Sequence, residues 1–160
     1  MSVSLRLYAP EDFDVLYEID QSCFARGIAY SRRTLRWFLT QPGAECLIAE
    51  HQGTIVGFIL SQASGRDAQI VTLDVAPAGR RRGIGSLLLQ EAERRLCAAG
   101  VRYVTLETAT NNDAAVAFWD KHDYRTEAVV KNYYLDKLDA FVMRKALTDL
   151  NGQNPRRRIE

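Results

Sequence analysis

Leu73-Asp74-Val75-Ala76-Pro77-Ala78-Gly79-Arg80-Arg81-Arg82-Gly83-Ile84-Gly85-Ser86 decides how this chain is read. A strand pattern runs into a turn, three arginines follow, and two glycines straddle one residue at the mouth of a long amphipathic helix. The first backbone N–H groups of a helix have no intrahelical partner, and the helix dipole makes that end partly positive. Glycine lets a ligand approach the backbone with no Cβ in the way. With fixed arginine charge beside them, such groups make a cradle for a pyrophosphate. The plain alternative is a tight turn with a solvated arginine run. It accounts for Arg80, Arg81 and Arg82 but not for Gly83 and Gly85, each costing about 1 kcal/mol relative to alanine where a helix forms. Leu88 stands where a dinucleotide fingerprint needs its third glycine, and no Gly-Lys-Ser/Thr follows as in a triphosphate loop.

Working back from the cradle, residues 68–75 read as a strand entered through a turn at 64–67. Before it, 46–50 and 54–62 read as two strands joined in a hairpin at Gln52-Gly53. Ser31 caps a helix to about residue 40, and Pro10 opens an earlier helix that runs to about 23. A short strand at 4–8 starts the chain. Working forward, the helix at 83–99 turns Ile84, Leu87, Leu88, Ala92 and Leu96 inward and stops at Gly100. A strand at 101–107 and a helix opened by Asn111-Asn112-Asp113 follow. Strands at 124–133 and 139–145 close the chain as an antiparallel pair. A strand–helix–strand unit after a run of strands predicts an α/β fold with a mixed sheet, the long helix crossing over between parallel strands. The cradle then lies at the carboxyl end of a strand, where such sheets bind ligands.

At 160 residues with 47% apolar and 26% charged side chains, the chain is expected to form one domain over 1–150. The polar tail at 151–160, with Pro155 and Arg156 to Arg158, is expected to be disordered. A net charge of +1 gives no global field for nucleic acid or a membrane surface. Cys23, Cys46 and Cys97 show no Cys-x-x-Cys spacing, so neither a disulfide framework nor a metal site is expected. No basic region followed by an apolar stretch opens the chain. A reducing cytoplasm is the expected location.

Arg80-x-x-Gly83-x-Gly85, preceded by Leu73-x-Val75-x-Pro77, resembles the acetyl-CoA-binding motif of the GNAT superfamily of N-acetyltransferases. The likeness spans residues 5–147 and includes Leu106-Glu107-Thr108, Asn112, Asn132-Tyr133-Tyr134 and Asp139 to Met143. Those last two segments look like the ribosomal-protein-alanine N-acetyltransferases (the RimI type) and related protein N-terminal acetyltransferases. The resemblance implies a mostly antiparallel central sheet with a splayed parallel pair at the cofactor. It implies that backbone around Arg81, Arg82, Gly83, Ile84, Gly85 and Ser86 holds the CoA pyrophosphate, and that Leu73 to Val75 pairs with the pantetheine arm. Asn112 and Trp119 would lie against the cofactor, and no metal is implied.

By the same likeness Glu107 is the base that takes a proton from the attacking amine. Trp119 occupies the place of the family's general-acid tyrosine, and an indole N–H supplies no proton at neutral pH. Water, Tyr133 or Tyr134 is left to protonate the departing thiolate. Asp123-Tyr124 stands where Gly-Phe is usual. Gln69 stands where some histone-lysine acetyltransferases carry a glutamate base, which counts against a mechanism of that type. The expectation is direct acetyl transfer from acetyl-CoA to an amine, the favoured acceptor a protein N-terminus, by a monomer or homodimer. Acetylation of a small amine (polyamine, amino sugar or amino acid) and a CoA-binding regulatory module without turnover are the alternatives.

Overall fold

A computed structural model of the protein describes residues 2–134 and 137–148. The polar tail from Asn151 lies outside the described residues. Strands β1 (Ser4–Leu7), β2 (Ala44–His51), β3 (Thr54–Ser64), β4 (Asp67–Val75), β5 (Tyr103–Ala109), β6 (Arg125–Val130) and β7 (Ala140–Ala146) form one sheet in the order β1-β2-β3-β4-β5-β7-β6. Helices α1 (Phe13–Cys23) and α2 (Arg32–Leu39) fall between β1 and β2, α3 (Ile84–Ala98) between β4 and β5, and α4 (Asp113–Lys121) between β5 and β6. The sheet is mostly antiparallel. β4 and β5 are the parallel pair, joined by the α3 crossover as expected. Their ladder runs Asp67↔Tyr103, Ala68↔Val104, Gln69↔Thr105 and ends there, although both strands continue.

The chain divides into two compact bodies. The first holds the residues up to Gln62 together with Ile70–Ala92. Its core joins Phe13, Leu16, Ile19 and Leu35 from the helices to Cys46, Ile48, Phe58 and Leu60 from the strands. The predicted hairpin is present: Gln52 and Gly53 both take positive φ (51° and 76°), the twist a two-residue turn needs. Arg6 donates to both Asp12 oxygens at 2.8 Å and to Glu50 at 2.7 Å, fastening the turn before α1 to β1 and β2. On β3, a Cβ at Gly57 would lie 2.8 Å from the Asp74 carbonyl oxygen and 3.3 Å from Leu88 Cδ1. Only glycine admits β4 and α3 that closely.

In α3 the expected inward stripe holds for Ile84, Leu88, Ala92 and Leu96, all buried. Leu87 departs from it, being 39% exposed, while Leu89 is fully buried. Three consecutive leucines span about 200° of a helix, and the face centred on Leu88 and Leu89 excludes Leu87.

The second body holds Ala63–Gln69 and the chain from Glu93 onward. Gly100 (φ 97°) terminates α3, and Asn112 Oδ1 caps α4 by accepting from Ala115 N–H at 3.1 Å. Tyr124 is fully buried, and its hydroxyl donates to Glu93 at 2.9 Å. Lys145 reaches Glu93 from β7 at 3.0 Å. Asp123 sits at φ 71°, the left-handed conformation that explains why glycine is usual there. The final pair forms as expected, but β6 ends at Val130 rather than at Tyr133. Asn132 turns the chain at φ 54°, held by its N–H donating to Asp139 Oδ1 at 3.0 Å. Tyr133 and Tyr134 therefore lie beyond the strand.

One buried feature of the first body escaped the sequence. Asp20 on α1 and Asp74 on β4 are both fully buried, and Asp20 Oδ1 and Asp74 Oδ2 have no hydrogen-bond partner. Asp20 Oδ2 accepts from Tyr30 N–H at 2.8 Å, and Asp74 Oδ1 accepts from the Thr72 hydroxyl. One proton shared between the carboxyls satisfies both orphaned oxygens, and burial together with Asp20 keeps it on Asp74 well above the usual carboxyl range. A raised pKa in the folded state stabilises fully below the unfolded value of 3.8 and loses that stabilisation as pH rises through the folded value. Asp74→Asn carries the donor permanently. Thermal unfolding across this window is expected to show wild-type Tm falling with rising pH relative to the Asp74→Asn variant; parallel curves would contradict a shared proton.

Candidate functional site

The first body presents the predicted cradle. β4 ends at Val75, a 3₁₀ turn at Pro77–Gly79 redirects the chain, and Arg80 to Gly83 lead into α3. Arg81 (φ 62°) and Gly83 (φ 76°) both take left-handed conformations. At Gly83 a Cβ would meet nothing within 4 Å, so its glycine is required by backbone conformation and leaves open space in front of it. The first intrahelical bond runs from Leu87 N–H to Gly83 O at 3.0 Å. The amides of Ile84 and Gly85 precede it at the positive end of the dipole. Arg81, Arg82 and Gly83 are exposed, Gly85 and Ser86 half-buried. Ile84 contributes backbone only, since its side chain is buried 3.0 Å from where a Cβ on Gly79 would stand.

Arg80 behaves differently from its neighbours. Its guanidinium folds back, Nε donating to Val75 O at 3.2 Å and Nη2 reaching Cys23 Sγ at 3.6 Å. The Cys23 thiol donates to the same carbonyl at 3.3 Å, and burial pushes that thiol up. Arg80 thus tethers the strand end while remaining exposed, and Arg81 and Arg82 are exposed beside it. Leu73 and Val75 are half-buried, with Asp74 between them facing the core.

The second body holds the residues expected to handle protons. Glu107 is half-buried on β5 opposite Val142 of β7, and Glu107 Oε2 accepts from Gln69 Nε2 at 2.8 Å. Tyr133 and Tyr134 meet edge to face, centroids 4.9 Å apart. Burial raises both phenols and the Glu107 charge raises them further, Tyr134 to about 12, so each keeps its proton at neutral pH. Glu107, Tyr133 and Tyr134 are therefore brought into one electrostatic neighbourhood. The Asn112 side-chain oxygen serves the α4 cap. Trp119 is only 8% exposed and packs edge-on against Phe118 and Tyr124. Its indole is core, which sequence position alone did not reveal. Gln69 is the contact that the sequence missed. It was legible as a β4 residue, but its reach to Glu107 follows from the parallel register.

Among the described residues, no cluster of three or more His, Cys, Asp or Glu is arranged to hold a metal, and no helix is long and apolar enough to cross a membrane.

These features coincide with what comparison with known proteins finds. An uncharacterized N-acetyltransferase of Methanocaldococcus jannaschii is 28% identical over 149 residues, covering 92% of this chain and 94% of the relative. The crystal structure of the ribosomal-protein-S18-alanine N-acetyltransferase from Escherichia coli superposes with a TM-score of 0.84 at 22% identity, covering 96% of this chain and 99% of that one. NAA60 of Arabidopsis thaliana, solved in complex with acetyl-CoA, superposes with a TM-score of 0.80 at 19% identity, covering 94% and 100%. At those identities the two structures establish the fold. The profile of the acetyltransferase (GNAT) family matches residues 13–124, most of the chain and all of the cradle, and the protein belongs to that family of acetyltransferases.

Proposed function

We propose that the protein transfers the acetyl group of acetyl-CoA directly to a protein N-terminal α-amino group, acting as one domain over residues 1–150. The observation that carries the donor half of this reading is the left-handed pair Arg81 and Gly83 at the start of α3. The backbone they shape would hold the pyrophosphate, with Arg81 and Arg82 supplying charge. Leu73 to Val75 offer an extended backbone on which the pantetheine amides pair as a strand would. An N–H of that strand aimed at the thioester carbonyl stabilises the oxyanion formed on attack. Support for an acetyl-CoA donor comes also from the family and from its presence in the NAA60 structure.

Glu107 takes the proton from the attacking amine, directly or through one water. An α-amine has a pKa near 8, so a carboxylate that need only collect the proton as the C–N bond forms is an adequate base. Tyr133 or Tyr134 then gives a proton to the departing thiolate; both hold one at neutral pH. The choice of a protein N-terminus as acceptor rests on the likeness of Asn132-Tyr133-Tyr134 and Asp139 to Met143 to the RimI type. A second reading, CoA binding without turnover, is favoured by one observation: Trp119, at the place of the family's acid, is sealed into the core.

Two measurements test this. With a peptide bearing a free N-terminus as acceptor, Glu107→Gln is expected to lower kcat by about 10²-fold, read as thiol release, and to leave acetyl-CoA affinity by isothermal titration within about two-fold. Equal losses in both would argue against the base, turnover of small amines alone would replace the acceptor, and binding with no turnover of any amine would favour the second reading. Gly83→Ala forces a Cβ into left-handed backbone and is expected to weaken acetyl-CoA binding about ten-fold, a cost of order 1–2 kcal/mol. Unchanged affinity would remove the pyrophosphate from this turn.

A further inference from the structure

We infer that Gln69 is a positioning residue for Glu107, and that it assigns the proton to one oxygen of that carboxylate. The inference rests on Glu107 being the base. Gln69 occupies the last rung of the parallel ladder, opposite Thr105, and Glu107 lies two residues further along β5. Where the backbone ladder ends, the side chains add one more rung: Gln69 Nε2 donates to Glu107 Oε2 at 2.8 Å. Glu107 stays in register through its own backbone, paired with Val142 on the other side of β5. The backbone is thus fixed on both strands, and the remaining freedom is rotation of the Glu107 side chain. The Gln69 amide removes most of it.

The chemistry of the donor matters as much as its place. An ionised carboxylate presents lone pairs on both oxygens and accepts a proton on either. With Oε2 occupied by Gln69 Nε2, Oε1 is left to take the proton from the amine. A charge-assisted hydrogen bond also disfavours rotation that would break it. Glutamine suits the task because it donates without carrying charge. A lysine in its place would neutralise the base, and a glutamate would compete with it for the one available proton. Tyr133 and Tyr134 feel the Glu107 charge, so fixing the carboxylate also fixes the field in which the two phenols hold their protons.

The test uses the full chain with acetyl-CoA and an N-terminal peptide. Gln69→Met keeps the length of the side chain and removes the donor; Gln69→Glu keeps the shape and adds a like charge. Gln69→Met is expected to lower kcat about ten-fold with KM for acetyl-CoA unchanged, the worth of a hydrogen bond to a charged group. In Gln69→Glu the two carboxyls share one proton, and the acidic limb of kcat against pH is expected to move to higher pH. Combined with Glu107→Gln, neither variant is expected to lower the residual rate further. The inference is overturned if Gln69→Met keeps kcat within about two-fold, if the Gln69→Glu profile keeps its wild-type limb, or if the losses multiply in the double variant. Should Glu107→Gln alone retain full kcat, the base assignment falls. Loss in Glu107→Gln beside full activity in Gln69→Met overturns the positioning role and leaves the base standing.

Discussion

Asp20 and Asp74 are shut away from water, and each keeps one oxygen without a partner unless a proton is held between them. An ionised pair in that position would carry the full desolvation cost of two like charges, so the fold retains one proton and α1 stays bound to β4. Much of the first body hangs on this join. Asp20 also takes the Tyr30 backbone N–H, which ends the loop after α1, and the Tyr30 hydroxyl reaches the Val71 carbonyl on β4 at 3.3 Å. Asp74 points into the core between Leu73 and Val75, setting which way those two residues face. Two residues later the strand gives way to the turn that leads into α3.

In that turn the backbone is more distinctive than the side chains. Three arginines draw the eye in the sequence, yet Arg80 is committed to the Val75 carbonyl and to Cys23. The proposed cradle is a backbone shape, set by the left-handed conformations of Arg81 and Gly83. Gly57 and Gly79 are the quieter half of the same design. They let α3 lie close enough to β3 and to the preceding turn for Ile84 to bury its side chain.

What was legible from the sequence was local. The Gln52-Gly53 hairpin, the Ser31 and Asn112 caps, the Gly100 stop and the crossover helix each follow from residues within one turn of the event. The departures come from contacts that the local pattern does not contain. The Leu87-Leu88-Leu89 run does not say which two of three face inward until the neighbouring sheet is present. The end of β6 depends on Asn132 meeting Asp139, seven residues away. The Asp20–Asp74 join spans 54 positions and Gln69–Glu107 spans 38, and no pattern in either segment announces its partner. The position of Trp119 along α4 does not reveal that its indole is buried. The family resemblance named Glu107; the parallel register that puts Gln69 beside it had to be seen.

In the proposed function the backbone from Arg81 to Ser86 holds the donor. Amide hydrogen exchange of the full chain, measured with and without acetyl-CoA, tests it most directly. Acetyl-CoA is expected to slow exchange of the amides across 81–86 and of those in Leu73 to Val75. Exchange at 81–86 unaltered at saturating acetyl-CoA, with protection gained only elsewhere, would contradict it.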